Sequence, residues 1–221
     1  MRFARIQPQP IFSEKKEITM KVSTKFILFA ALAAGLTLPA SAGTVTYQID
    51  PRHSSANFTV THLLISKVPG QFHGVTGTII VDESDITKSS VNVTIDASTV
   101  DTNEPDRDKD LKSSNFFDIA KYPTIVFRST KVEKNPDGTL KVTGDLTIHG
   151  VTKSVVLNAT APEPAIKDPW GLTRTATSAT TKINRQDFGI TWNKTLDNGG
   201  AVVSDSVNID LEVEMVIPPA K

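Results

Sequence analysis

The stretch Val207-Asn208-Ile209-Asp210-Leu211-Glu212-Val213-Glu214-Met215 alternates strictly between apolar and polar residues. That is the period of a strand with one dry face and one wet face. The same period recurs upstream. Ala56, Phe58, Val60 and His62 alternate with Ser55, Asn57, Thr59 and Thr61, and Val91, Val93, Ile95 and Ala97 with Asn92, Thr94, Asp96 and Ser98. It returns after Tyr122-Pro123, where Ile125, Phe127 and Ser129 alternate with Val126 and Arg128, then in Leu140–His149, in Lys153–Ala161 and in the Thr-rich run Leu172–Ile183.

Turn chemistry separates these runs. Asp50-Pro51, Pro69-Gly70, Asn135-Pro136-Asp137-Gly138, Gly150 and Asn198-Gly199-Gly200 all read as turns. Gly74 and Gly77 inside a strand pattern predict bulges or bends. Only Asp101–Asp118 has helical character, and its charge density marks it as solvated. Short turns and the absence of helical crossovers exclude a doubly wound parallel sheet. The fold class predicted is all-β: a single antiparallel barrel of eight strands with one short helical insert, a closure that leaves no exposed edge.

Three segments divide the chain. Residues 1–19 read as an upstream extension, because Met20-Lys21 opens a basic stretch followed by an apolar run, Phe26 to Leu38, and the cleavage pattern Ala40-Ser41-Ala42. That run is about 13 residues, too short for a bilayer span, so 20–42 read as a signal peptide and 43–221 as the exported domain. Residues 1–42 carry six of the 24 basic and two of the 24 acidic side chains, which leaves 18 against 22 in the domain. A mildly acidic surface gives no footprint for nucleic acid, and no stable membrane insertion is expected. With no Cys, the chain has neither disulfides nor thiolate sites, and its stability must come from the core.

Catalytic and metal chemistry find little support. His53, His62, His73 and His149 have no i, i+2 spacing on a strand, and they read as hydrogen-bonded residues at strand ends rather than metal ligands. No G-x-S-x-G elbow occurs, and Asp106, Asp108 and Asp110 read as surface charge. The chain is therefore read as not an enzyme, with no catalytic residues, no metal and no cofactor. The inward faces carry Val, Ile, Ala, Leu, Ser and Thr, with only six Phe in the domain. Periodicity fits a ligand cavity and an ordinary packed core equally well.

In order along the chain, several marks form a pattern. They are Tyr47-Gln48-Ile49-Asp50, His53-Ser54, Phe58, His62, Gly70-Gln71-Phe72, Arg107-Asp108, Leu111, Phe116-Phe117-Asp118, Tyr122-Pro123, Phe127, Gly144–Thr152, Arg185 and Phe188-Gly189-Ile190. On these residues the chain resembles the YceI-like family, bacterial periplasmic proteins with a lipocalin-like barrel associated with polyisoprenoid binding. It departs from the family's Arg-Asp-x-His-Leu at Asp110, which precedes Leu111 where the family has His.

The resemblance implies a carrier for an amphipathic isoprenoid lipid, of quinone or polyprenyl type, with fatty-acid derivatives as the neighbouring class. The lining it implies is Phe58, Val60, Phe72, Val93, Ile95, Phe127, Leu146, Ile148, Phe188, Ile190, Val207, Ile209 and Leu211. Phe116 and Phe117 would close one mouth, and His62 or Arg185 would meet a polar head. The competing expectation is a non-catalytic stress-response or interaction module with a packed core. Oligomeric state, a homodimer included, is left open by the sequence.

Overall fold

The computed structural model describes residues 43–197 and 199–219, so the assignments of 1–19 and 20–42 lie outside the described residues. The alternating runs form β1 (Thr44–Ile49), β2 (Ser55–His62), β3 (Ser66–Phe72), β4 (Val75–Asp82), β5 (Ser90–Asp96) and β6 (Val100–Asp101). Helix α1 (Pro105–Lys112) follows, then β7 (Thr124–Lys134), β8 (Leu140–Ile148), β9 (Val151–Ala159), β10 (Ile166–Lys167), β11 (Thr173–Asn184) and β12 (Ser206–Val216).

These segments build eight staves. Along one edge of β12, β2 pairs from Ser55 to Thr59 and β1 from Gln48 to Ile49, so β1 and β2 are one interrupted stave. Next to it, β3 pairs with β2 and β4 with β1, a second stave bent at His73-Gly74. A third stave is β5 and β6, which pair with β4 and β3 respectively. β7, β8 and β9 continue the ring, and β12 lies along β11 from Arg174↔Val216 to Asn184↔Ser206. The ring closes between β9 and β11 at Ala179↔Ala159 and Thr180↔Asn158, helped by the Thr181 hydroxyl donating to the Val156 carbonyl at 2.8 Å. The result is an eight-stranded antiparallel barrel with one short helix, as predicted.

One local prediction is corrected, and one strand carries an irregularity that the sequence did not signal. Pro69-Gly70 is not a turn: both residues lie inside β3, opposite Thr59 and Phe58. Pro is tolerated there because β6 pairs with β3 only at Gln71 and Phe72, so the missing N–H interrupts no ladder. The real turn is Leu63-Leu64-Ile65, where Leu63 and Leu64 adopt φ of 51° and 66° without glycine. In β7 a bulge between Ser129 and Lys131 shifts the register, so Ile125 and Phe127 face inward before it and Val132 after it. The alternation read for Ile125, Phe127 and Ser129 holds up to the bulge, and the inward set changes after it.

α1 begins on Pro105, with the Glu104 carboxylate accepting from the N–H groups of Asp106 and Arg107. Asp108 ties the helix to the chain before it, accepting from the Thr102 N–H and hydroxyl at 2.8 and 2.5 Å. Arg107 returns the contact, donating to the Thr102 hydroxyl and carbonyl, each at 2.8 Å. These bonds hold the helix over one end of the barrel.

Candidate functional site

The barrel encloses a cavity of about 450 Å³. That lies within the range of small-molecule sites, roughly 300–1,000 Å³. Every residue proposed from the sequence as lining, mouth or head-group contact touches it: Phe58, Val60, His62, Phe72, Val93, Ile95, Phe116, Phe117, Phe127, Leu146, Ile148, Arg185, Phe188, Ile190, Val207, Ile209 and Leu211. Inward-facing Val93, Ile95, Ile209 and Leu211 stay only half-buried, the mark of a wall that faces empty space rather than partner atoms. A packed interior is thereby overturned.

Two glycines explain how six phenylalanines fit without filling the lumen. Gly70 faces Phe58 across β2 and β3, and a Cβ on Gly70 would collide with the Phe58 ring. A Cβ on Gly144 would likewise strike the Phe127 ring and the Arg128 carbonyl. Each ring lies flat against the wall in the space a side chain would take, which leaves the centre open.

The two ends differ. Towards the end of β12 that carries Met215, the cavity is lined by buried Met215, Leu140, Val132 and Val81, with half-buried Ile86, Ser89 and Pro162 beside them. At the His62 end, Val60, His62, Val68, Phe117, Trp192 and Val202 are all half-buried and line the cavity. Aromatic rings crowd this open end: Phe72 lies 5.6 Å from Phe58 and 5.3 Å from Phe117, and Phe116 lies 5.2 Å from Trp192. Phe116 is buried and Phe117 half-buried.

Polar groups at the mouth are few. Asp110 reaches the cavity, and its carboxylate accepts from the Asn115 side-chain amide at 3.0 Å. Arg107 and Leu111 also line it. The surface-charge reading of Asp110 is therefore corrected, while Asp106 is exposed and Asp108 anchors the helix. Sequence reasoning missed Trp192, Arg107 and Leu111 as lining. The last two sit on a helix with no buried residue, and only its placement over the mouth turns them inward.

Arg185 lines the wall at 5 % exposure, but its donors are engaged. Nε donates to the Ser204 carbonyl at 3.0 Å, and Nη1 to the carbonyls of Ile190 and Trp192 at 2.7 and 2.9 Å. Nη2 donates to the Val203 carbonyl at 3.5 Å and to the Asp205 carboxylate at 3.1 Å. Burial pushes this guanidinium below its ordinary value, with Asp205 opposing. A planar fork spent on four carbonyls and a carboxylate holds the 190–205 loop to the barrel. It has no N–H left for a ligand head.

Among the described residues, one group of His, Asp and Glu converges: Asp50, His53 and Glu214, with ligand atoms within 4.8 Å of one another. Arg174 already supplies positive charge there, donating from Nη1 to Asp50 at 2.7 Å and Glu214 at 2.6 Å, and from Nε to Asp168 at 2.7 Å. The Arg174 guanidinium holds the Asp50 carboxyl well below the usual carboxylate range, and the three carboxylates raise Arg174 in turn. This knot ties β1, β11 and β12 together, outside the cavity.

Residues 47–215 match the family model of the YceI-like domain. The chain belongs to the YceI-like family. A UPF0312 protein of Vibrio cholerae (strain M66-2) is 40% identical over 75% of this chain and 88% of its own length. Another UPF0312 protein, of Shewanella baltica (strain OS185), is 38% identical over 87% of this chain and 98% of its own. The crystal structure of the Campylobacter jejuni YCEI protein matches with a TM-score of 0.61 at 34% identity, over 72% of this chain and 90% of that one. A polyisoprenoid binding domain from Saccharophagus degradans shares the fold, with a TM-score of 0.56 at 16% identity over 78% of this chain and 98% of its own. Proteins of the YceI-like family are non-catalytic and typically exported.

Proposed function

We propose that this YceI-like protein is a periplasmic carrier of a long-chain amphipathic lipid of isoprenoid type, exported through a cleaved signal peptide at residues 20–42. One observation carries the reading: a closed ring of strands surrounds about 450 Å³ of space walled by Val, Ile, Leu and Phe. The likeness to a polyisoprenoid binding domain from Saccharophagus degradans supports the choice of lipid.

An apolar cavity of about 150 Å³ accommodates a benzene, so this lumen holds about three units of that size, on the order of three isoprenes. At about 0.8 kcal/mol per buried methylene, some fifteen carbons would supply a gross 12 kcal/mol before binding costs are subtracted. The tail thus provides the affinity. Phe116 and Phe117 flank the neck through which it passes, and His62 is the polar group at the mouth best placed to meet a head. Arg185 has no such role.

Native mass spectrometry of protein purified from periplasm without detergent tests the reading. A retained mass that matches a polyprenyl lipid or isoprenoid quinone is the expected result. A retained fatty-acid mass would replace the isoprenoid, and protein that neither retains nor takes up any lipid would end the carrier reading.

A further inference from the structure

We propose that the β2–β3 turn, Leu63-Leu64-Ile65, is a docking tip that seats the open mouth of the barrel on a phospholipid bilayer. The proposal rests on the lipid-carrier reading for its purpose, though not for its test. Three consecutive apolar residues project from this hairpin at 37, 58 and 84 % exposure. Isolated exposed apolar residues need no explanation, but a contiguous apolar projection does.

The backbone of the turn points the same way. Leu63 and Leu64 occupy the two central positions of a turn closed by the Ile65 N–H donating to the His62 carbonyl at 3.1 Å, and both have positive φ. Asn-Gly adopts that geometry readily, whereas Leu does so against its steric preference. Strain held at a tip made of leucines presents their side chains outward, where folding alone gains nothing.

Position and polarity select the occupant. His62 and Val202 flank the tip, joined to it by the Leu63 N–H donating to the Val202 carbonyl at 2.8 Å, and both line the open end of the cavity. With the Leu63 and Ile65 N–H groups already bonded, the tip brings few unsatisfied backbone donors into an apolar medium. Exposed Lys67 on β3 and Lys194, whose carbonyl accepts from the Val202 N–H, add positive charge beside the tip for anionic headgroups. A convex apolar tip fits a soft bilayer, which needs no preformed groove. It would also put the mouth at the interface from which a lipid tail must leave. Ile166 and Trp170 are exposed too, at 64 and 82 %, but they lie at the Met215 end, away from His62 and the aromatic cluster.

The test is sedimentation of the protein with vesicles of phosphatidylethanolamine and phosphatidylglycerol, alongside the rate at which it extracts a fluorescent polyprenyl lipid from them. Leu64→Ser/Ile65→Ser is expected to reduce vesicle binding and extraction rate at least about tenfold, with Trp170→Ser near wild type on both. Affinity for the same lipid offered in solution should stay within about twofold in the tip variant, because neither residue lines the cavity. The proposal is overturned if wild-type protein does not sediment with vesicles, if the tip variant sediments as wild type does, or if Trp170→Ser abolishes sedimentation. Failure of the carrier reading would appear separately, as no uptake from solution by any form.

Discussion

Gly70→Ala is the sharpest probe of why this barrel is hollow. Gly70 has ordinary extended backbone, so alanine brings no left-handed strain, and all three atoms nearest its new methyl belong to the Phe58 ring. That ring must leave the wall, and the open direction is the lumen, where Phe58 already lines the cavity. A phenyl ring is the size of benzene, which occupies an apolar cavity of about 150 Å³. The swing would take about a third of the 450 Å³ available. It would displace about five tail carbons, at most about 4 kcal/mol of gross transfer energy. Part of the tail can reroute, so affinity for a polyprenyl lipid should fall about 10–100-fold. Titration by native mass spectrometry or lipid fluorescence measures this, with near-ultraviolet circular dichroism to confirm that the barrel is intact. Gly70→Ala/Phe58→Ala removes the obstructing ring and should recover the affinity of Phe58→Ala alone, which closes a double-mutant cycle. Affinity within threefold of wild type in the single variant, or no recovery in the double, would refute the account of the rings as wall-lining.

Three further outcomes are expected. Across lipids of one to five isoprene units, affinity should rise steeply to about three units and then level off, because later units protrude; a continued rise would mean a larger interior. Arg185→Lys should cost about 2–3 kcal/mol in denaturant unfolding, since an ammonium cannot serve four carbonyls and Asp205. Lipid affinity of the folded fraction should be unchanged, and a selective loss of affinity would restore a head-group role. Asp50→Asn should cost about 2 kcal/mol at pH 7, a melting temperature lower by about 4–8 °C. The Asp50 carboxyl is lowered in the folded state by Arg174, so its contribution is complete above about pH 4 and disappears as pH falls through the folded value. The gap between variant and wild type in thermal melts should therefore close on acidification, and a constant gap would contradict the ion-pair account.

Much of the fold was legible. Val207 to Met215 announced β12, and the corresponding runs announced the other staves, because period-two alternation reports directly which side chains share a face. Turn position was less secure. Pro69-Gly70 has turn composition yet lies in β3, where Gly70 leaves room for a ring on the neighbouring strand β2. The true turn uses Leu63 and Leu64 at positive φ, which no local composition signals. The bulge at Ser129–Lys131 was equally silent.

By itself the sequence determined which residues face inward, because that depends only on neighbours two positions apart. Whether those residues meet across the barrel depends on the ring's width and on where each Phe ring lies, and both are set by contacts between strands rather than along one. Gly70 and Gly144 hold Phe58 and Phe127 to the wall, so the interior is hollow. The same logic divides the polar residues. Arg185 was visible as a candidate for a head group, but only the folded 190–205 loop showed that its donors were already taken. Asp110 read as solvated because its helix is densely charged, and it reaches the cavity because tertiary structure lays that helix across the mouth.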